Sequence, residues 1–254
     1  EAGRWMTLTH GDTIHGRQSL DPARRAEPLT YFHPTGPAGD IFAAARAGAA
    51  RRFAVVGLGA GTLAAYMGRG DALTFFELDP DVERFARAYF TYLADAEARG
   101  ARVATVVGDA RLSLAAAGTA GATGAAAPEA YDLLVVDAFS SDSIPVHLVT
   151  REAVRLYRRR LSPRGLMAFH VTNRHLRLAR VFARVAAEEG LVAARRKDND
   201  SSAEGKNTSE WVVLAPSAEP LAPLAATGRW QGVTPLPGDP LWTDDSSSLL
   251  PILR

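Results

Sequence analysis

No cysteine occurs among the 254 residues, which removes disulfides, thiolate metal sites and a cysteine nucleophile at once. Neither charge is in excess. The 29 basic residues stand against 28 acidic ones, and a net charge of +1 argues against a surface that tracks nucleic-acid phosphates. No window approaches the roughly 18 consecutive apolar residues that a membrane helix needs. The opening EAGRWMTLTHG has no signal-peptide architecture, and the lack of an initiator methionine leads us to expect a processed or excised piece, with a membrane-bound parent left open. The histidines show no metal-ligand spacing, so no metal is expected. What remains is a chain with 47% apolar residues, enough for one large α/β domain or a domain with a small appendage.

The chain is organised around Phe53 to Asp79, FAVVGLGAGTLAAYMGRGDALTFFELD. An apolar run enters Gly57-Leu58-Gly59-Ala60-Gly61, a helical segment follows, and a second apolar run ends on Glu77. Glycines let a backbone turn sharply and admit a ligand where a Cβ would collide, and an acid at the next strand end can accept both hydroxyl hydrogens of a ribose. The stretch therefore looks built for a nucleoside. A dinucleotide fingerprint is G-x-G-x-x-G, whereas here the third glycine comes one residue early. That spacing resembles the S-adenosylmethionine-binding turn of the class I methyltransferase-like fold, although a tight strand-to-helix turn needs glycine in any case.

From Phe53 onward strands and helices alternate, the sign of a parallel sheet covered on both faces. Strands are expected at 53–57, 73–77, 102–107, 132–137, 165–171, 191–196 and 210–214, and helices at 60–69, 80–95, 110–116, 147–160 and 174–189. Asp79-Pro80 supplies a cap and an N1 proline for the second helix. The fold expected is a class I methyltransferase-like (Rossmann-like), mostly parallel, seven-stranded α/β sheet. Before it, residues 1–40 alternate in short runs and read as a β-hairpin region and a loop, leaving 41–254 as the catalytic domain.

Right-handed crossovers put the strand ends on one rim. Four of those ends carry polar groups: the Gly57, Gly59 and Gly61 turn; Glu77; Gly108-Asp109-Ala110; and Asp137, followed by Ala138-Phe139-Ser140-Ser141-Asp142. Asp109 suits the exocyclic amine of an adenine, but one carboxylate before a helix is also a cap. Four in register are harder to explain by capping.

These elements resemble the spermidine synthases, the polyamine aminopropyltransferases, from roughly Ile14 to Phe169. Ile14-His15-Gly16-Arg17-Gln18 is similar to the family's L-D-G-x-x-Q turn with one residue fewer, and Thr30-Tyr31 to the start of its Y-H-E element. Asp137 to Thr150 and the terminal run Trp242 to Leu250, which opens Trp242-Thr243-Asp244-Asp245, look closest to the bacterial branch fused behind membrane helices. The resemblance implies alkyl transfer from decarboxylated S-adenosylmethionine, or from S-adenosylmethionine itself, to an amine with release of 5'-methylthioadenosine. Gly57, Gly59, Gly61, Glu77, Asp109, Ala110 and Gln18 would hold the nucleoside, and Tyr31, Asp142 and Asp244 would face the acceptor. It also implies a cytoplasmic catalytic unit, an attached membrane domain in the parent, and a homodimer like those of related synthases. An alkylamine of pKa ~10 cannot attack until a base takes its proton, and Asp137 is the group for that.

Two departures keep alternatives open. Tyr31 is followed by Phe32-His33-Pro34 without the family's acid, and the loop after Asp137 is longer by two residues. A methyltransferase, a lyase or cyclase on intact S-adenosylmethionine, and a non-catalytic nucleoside sensor all remain. His15 and His33 are expected as loop histidines, and His170 is expected to pack or cap at a strand end. The run Asp198 to Ser209 is expected to be a mobile hairpin loop.

Overall fold

The computed structural model describes residues 3–10, 13–47, 51–116, 130–138, 145–173 and 175–253. In chain order the elements are β1 (Trp5–His10), β2 (Thr13–Ser19), α1 (Pro37–Ala47), β3 (Arg52–Val56), β4 (Ala72–Glu77), α2 (Pro80–Tyr89), α3 (Tyr92–Ala98), β5 (Arg102–Val107) and α4 (Ala110–Ala116). They continue with β6 (Tyr131–Val136), α5 (Arg151–Arg159), β7 (Leu161–His170), α6 (Leu178–Glu188), β8 (Val192–Asp198), β9 (Ser209–Ala215), α7 (Ala222–Ala226) and β10 (Gln231–Val233). β1 and β2 form the N-terminal antiparallel hairpin. The remaining strands make one sheet in the order β10-β8-β9-β7-β6-β3-β4-β5.

Strands β3 to β7 are mutually parallel, β9 runs antiparallel between β7 and β8, and β10 pairs antiparallel with the outer edge of β8. Among the described residues the sheet therefore has eight strands where seven were expected. Three residues are too few to show an alternating pattern, and β10 exists because β8 offers an open edge.

Side chains leave each strand alternately to the two faces, and both faces are covered. Phe53 and Val55 pack on one face with Ile41 and Phe42 of α1, Ala86 of α2 and Leu93 of α3. Ala54 and Val56 pack on the other with Leu114 of α4, Tyr157 of α5 and Phe182 of α6. This is why the core strands read as unbroken apolar runs.

Two expected helices are broken, in each case by a distant side chain. Over 60–69 only the short 3-10 turn Thr62–Tyr66 forms. The Arg99 guanidinium donates to the carbonyls of Ala64 (3.0 Å), Ala65 (3.3 Å) and Met67 (3.0 Å). The expected helix over 80–95 opens as predicted, with Asp79 accepting from the Asp81 amide at 2.9 Å, but divides into α2 and α3 at Phe90. There Gln18, from β2, captures Thr91: its Oε1 accepts the Thr91 amide (3.0 Å) and its Nε2 donates to Thr91 Oγ1 (2.8 Å).

The segment between β8 and β9 is a built loop. Lys206, buried, donates to Asp198 (3.0 Å) and Asp200 (2.8 Å). The loop clasps the chain at Thr30 from both sides: the Thr30 amide donates to Gly205 O (2.6 Å) and the Asn207 amide to Thr30 O (3.1 Å). Thr30 is fully buried and holds φ at +62°, a left-handed conformation that a β-branched residue adopts only under tertiary constraint. That conformation sets the direction in which Tyr31 leaves.

Candidate active site

The ends of β3 to β7 and the start of β9 share one edge of the sheet, and the predicted residues gather there. Gly57 has φ +95°, and a Cβ on it would lie 2.5 Å from Asp137 O. Gly59 has φ +53°, and a Cβ there would lie 2.3 Å from His15 O. The turn thus sits between the end of β6 and β2, with the Ala60 amide donating to His15 O at 3.2 Å. His15 lies within β2 rather than in a loop. The chain's own close packing demands glycine at these two positions, whatever ligand they also admit.

Glu77 ends β4 and ties the turn down: Oε2 accepts from the Leu58 amide (2.9 Å) and Oε1 from the Asp79 amide (3.0 Å). A carboxylate has about four lone-pair sites, so this fixes its orientation and leaves capacity for hydroxyl donors. Asp109, after β5, caps α4 through the Leu112 amide (2.9 Å), with His147 Nε2 3.5 Å from its other oxygen. Ala110 is buried at the start of α4. Gln18 is buried and engaged with Thr91 and with Arg25 O (2.9 Å).

Asp137 lies one residue past β6, its amide donating to Val56 O at 2.9 Å. Its Oδ1 is 2.7 Å from His170 Nδ1, and its Oδ2 is 3.4 Å from the Tyr31 hydroxyl. Burial first, and then the Asp137 charge, push the Tyr31 phenol well above its ordinary pKa. The phenol is therefore a neutral donor. The His170 ring is stacked between Tyr31 (centroids 4.2 Å, 21° between planes) and Trp211 (4.9 Å, 25°). Its Nε2 is 2.7 Å from Thr172 Oγ1, which accepts from the Glu210 amide at 2.8 Å.

His170 does more than pack: it binds the carboxylate that the sequence singles out. A polar residue at a strand end carries no periodic signal, and its partner lies 33 positions away. Asp142 lies outside the described residues. Asp244 is engaged by Arg111 in two bonds of 2.8 Å and by Thr150 Oγ1 at 2.7 Å, and the Arg111 guanidinium holds its carboxyl down at about 2. Asp244 thereby joins the C-terminal segment to α4 and to the cap of α5. Among the described residues no group of three or more histidines and acids is placed to hold a metal ion, and no helix is long and apolar enough to cross a membrane.

No protein-family model matches the chain. Among solved structures, a probable spermidine synthase from Corynebacterium glutamicum ATCC 13032 superposes with a TM-score of 0.61 at 18% identity, over 97% of this chain and 91% of that one. An O-methyltransferase from Bacillus cereus in complex with SAH gives 0.50 at 15% identity, over 71% of this chain and 81% of that one. The fold is the class I methyltransferase-like, Rossmann-like one that these proteins share. In sequence, a polyamine aminopropyltransferase from Vibrio vulnificus (strain CMCP6) is 31% identical over 119 residues. The match takes in 46% of this chain and spans about a third of that relative, 36% of its length. The sequence likeness is thus to a polyamine aminopropyltransferase over less than half of this chain, and the structural likeness to the probable spermidine synthase is one of fold.

Proposed function

We propose that the chain catalyses alkyl transfer of the aminopropyltransferase kind. An amine attacks the methylene beside the sulfonium of decarboxylated S-adenosylmethionine, the carbon–sulfur bond breaks, and the electron pair leaves on sulfur as neutral 5'-methylthioadenosine. The amine's proton passes to Asp137. In this reading Glu77 and the Gly57–Gly61 turn hold the sugar, Asp109 and Ala110 the base, and Gln18 supports the turn's flank through α3. Tyr31 borders the acceptor, with Asp142 and Asp244 as further groups on that side.

The observation that carries the reading is the carboxylate itself. Asp137 is nearly buried, with its side chain 9% exposed, it abuts the glycine turn, and it meets two ring-bearing side chains. A carboxylate so held suits the work of gripping an ammonium and accepting its proton as the new bond forms. The rest of the rate would come from aligning nitrogen, carbon and sulfur at about 3–3.5 Å. The O-methyltransferase from Bacillus cereus that shares the fold was solved with SAH, which supports a co-substrate of the S-adenosylmethionine type.

Phe32-His33-Pro34 after Tyr31 supports a second reading, in which intact S-adenosylmethionine is methyl donor or is cleaved without an external amine. The test is mass-spectrometric product analysis with either nucleoside, with and without putrescine or spermidine. Methylthioadenosine together with an aminopropylated amine is the expected result. Methylthioadenosine without amine consumption supports a lyase or cyclase, and a methylated product a methyltransferase. Tight binding with no product would end the enzymatic reading.

A further inference from the structure

The geometry points to His170 as a positioning residue for Asp137: Thr172 holds its imidazole in the neutral Nδ1–H form, so that the ring clamps Asp137 Oδ1 and leaves Oδ2 to receive the proton. The proposal rests on the alkyl-transfer reading.

With the ring neutral, one assignment of donors and acceptors satisfies both of its contacts, because only Nδ1–H can face the Asp137 carboxylate while Thr172 Oγ1 can either give or receive. The Glu210 amide has a single proton and donates it to Thr172 Oγ1. Thr172 then has its hydroxyl proton to give, and His170 Nε2, 2.7 Å away, is the acceptor. A ring whose Nε2 accepts carries its proton on Nδ1, and Nδ1 faces a carboxylate oxygen at 2.7 Å. The opposite tautomer would set a bare ring nitrogen against that oxygen.

Stacking between Tyr31 and Trp211 fixes the ring plane, so both nitrogens stay in line with their partners. Among the described residues, polar groups facing the ring include Asp137 from the end of β6, Tyr31 from the N-terminal segment and Thr172 beyond β7. Glu210, beside Trp211 on β9, is paired with Arg195 at 2.7 Å. The chain of bonds thus reaches from β9 through β7 to β6. Oδ2 is the carboxylate oxygen with the long contact, the 3.4 Å one to Tyr31.

Two measurements on the full chain decide the matter. Nitrogen-15 NMR of the imidazole at pH 7.5 should show Nδ1 protonated and Nε2 bare in the native protein, and a mixture of forms in Thr172→Val. An Nε2–H tautomer, or a doubly protonated ring, overturns the proposal. This readout needs no turnover, so it stands if the transferase reading fails.

In the kinetic arm, His170→Ala should lower kcat roughly 10- to 100-fold through misplacement of the carboxylate, with the nucleoside KM unchanged. His170→Asn keeps an N–H near the Nδ1 position and should recover part of the rate. A folded His170→Ala variant with native kcat, or one whose loss falls on the nucleoside KM instead, overturns the role, as does failure of a folded Asn variant to exceed the Ala variant.

Discussion

Gln18 and Thr91 exchange two hydrogen bonds across 73 positions of sequence, one through each end of the glutamine amide. The contact seats β2 on α3 and makes the break between α2 and α3. Replacing Gln18 by leucine leaves the Thr91 amide and hydroxyl without that partner in a half-buried setting. Such a loss costs about 1–3 kcal/mol, measurable as a lower midpoint in urea unfolding. If Gln18 also touches the nucleoside, affinity should fall further than the stability loss explains, which calorimetric titration with methylthioadenosine separates.

Asp137→Asn keeps the shape of the side chain and removes the base. Turnover should fall about 10²- to 10⁴-fold while methylthioadenosine affinity stays near the native value. Retained turnover in a folded Asn variant removes Asp137 from its role.

Burial raises the pKa of four tyrosines, Tyr31, Tyr66, Tyr92 and Tyr157. A group with a raised folded pKa contributes stability that is whole below its unfolded value, about 10 for tyrosine, and is lost as pH climbs from there toward the folded value. Alkaline titration should therefore show phenolate absorbance from these four appearing together with loss of ellipticity, not before it. Their ionisation in the folded state, without unfolding, would contradict the buried placement.

Asp244 runs the other way. Its carboxyl is held at about 2, chiefly by hydrogen bonds from Arg111. The stabilisation is present above the unfolded value of about 3.9 and fades as pH falls from there through 2. Arg111→Ala should free the C-terminal segment at neutral pH, seen as faster amide exchange over residues 241–250 with the sheet unaffected. Unchanged exchange there would show that the clasp is not what holds the segment.

The central strands were legible because they are buried on both faces and read as apolar runs, as in Phe53 to Val56 and Leu133 to Val136. Asp79-Pro80 announced α2 by cap chemistry alone. Two of the departures share a cause, a partner far away in sequence. Arg99 takes the carbonyls that would have continued the helix after Thr62, and Gln18 divides the helix at Phe90. β10 pairs with β8 through only three residues. At the site, Glu77, Asp109 and Asp137 could be picked out as acids at strand ends. His170 could not, because its value lies in what it bonds, and only the folded sheet brings Thr172, Trp211 and Tyr31 around it.

The clasp on Thr30 bears on how the molecule is made. Gly205 and Asn207 leave the ribosome some 175 residues after the threonine they grip. Until they arrive, nothing from that loop obliges Thr30 to keep its left-handed turn, and Tyr31 has no fixed heading. The nascent chain would carry its glycine turn at residues 57–61 early, and Tyr31 would take its fixed heading only once residues 205–207 have been made.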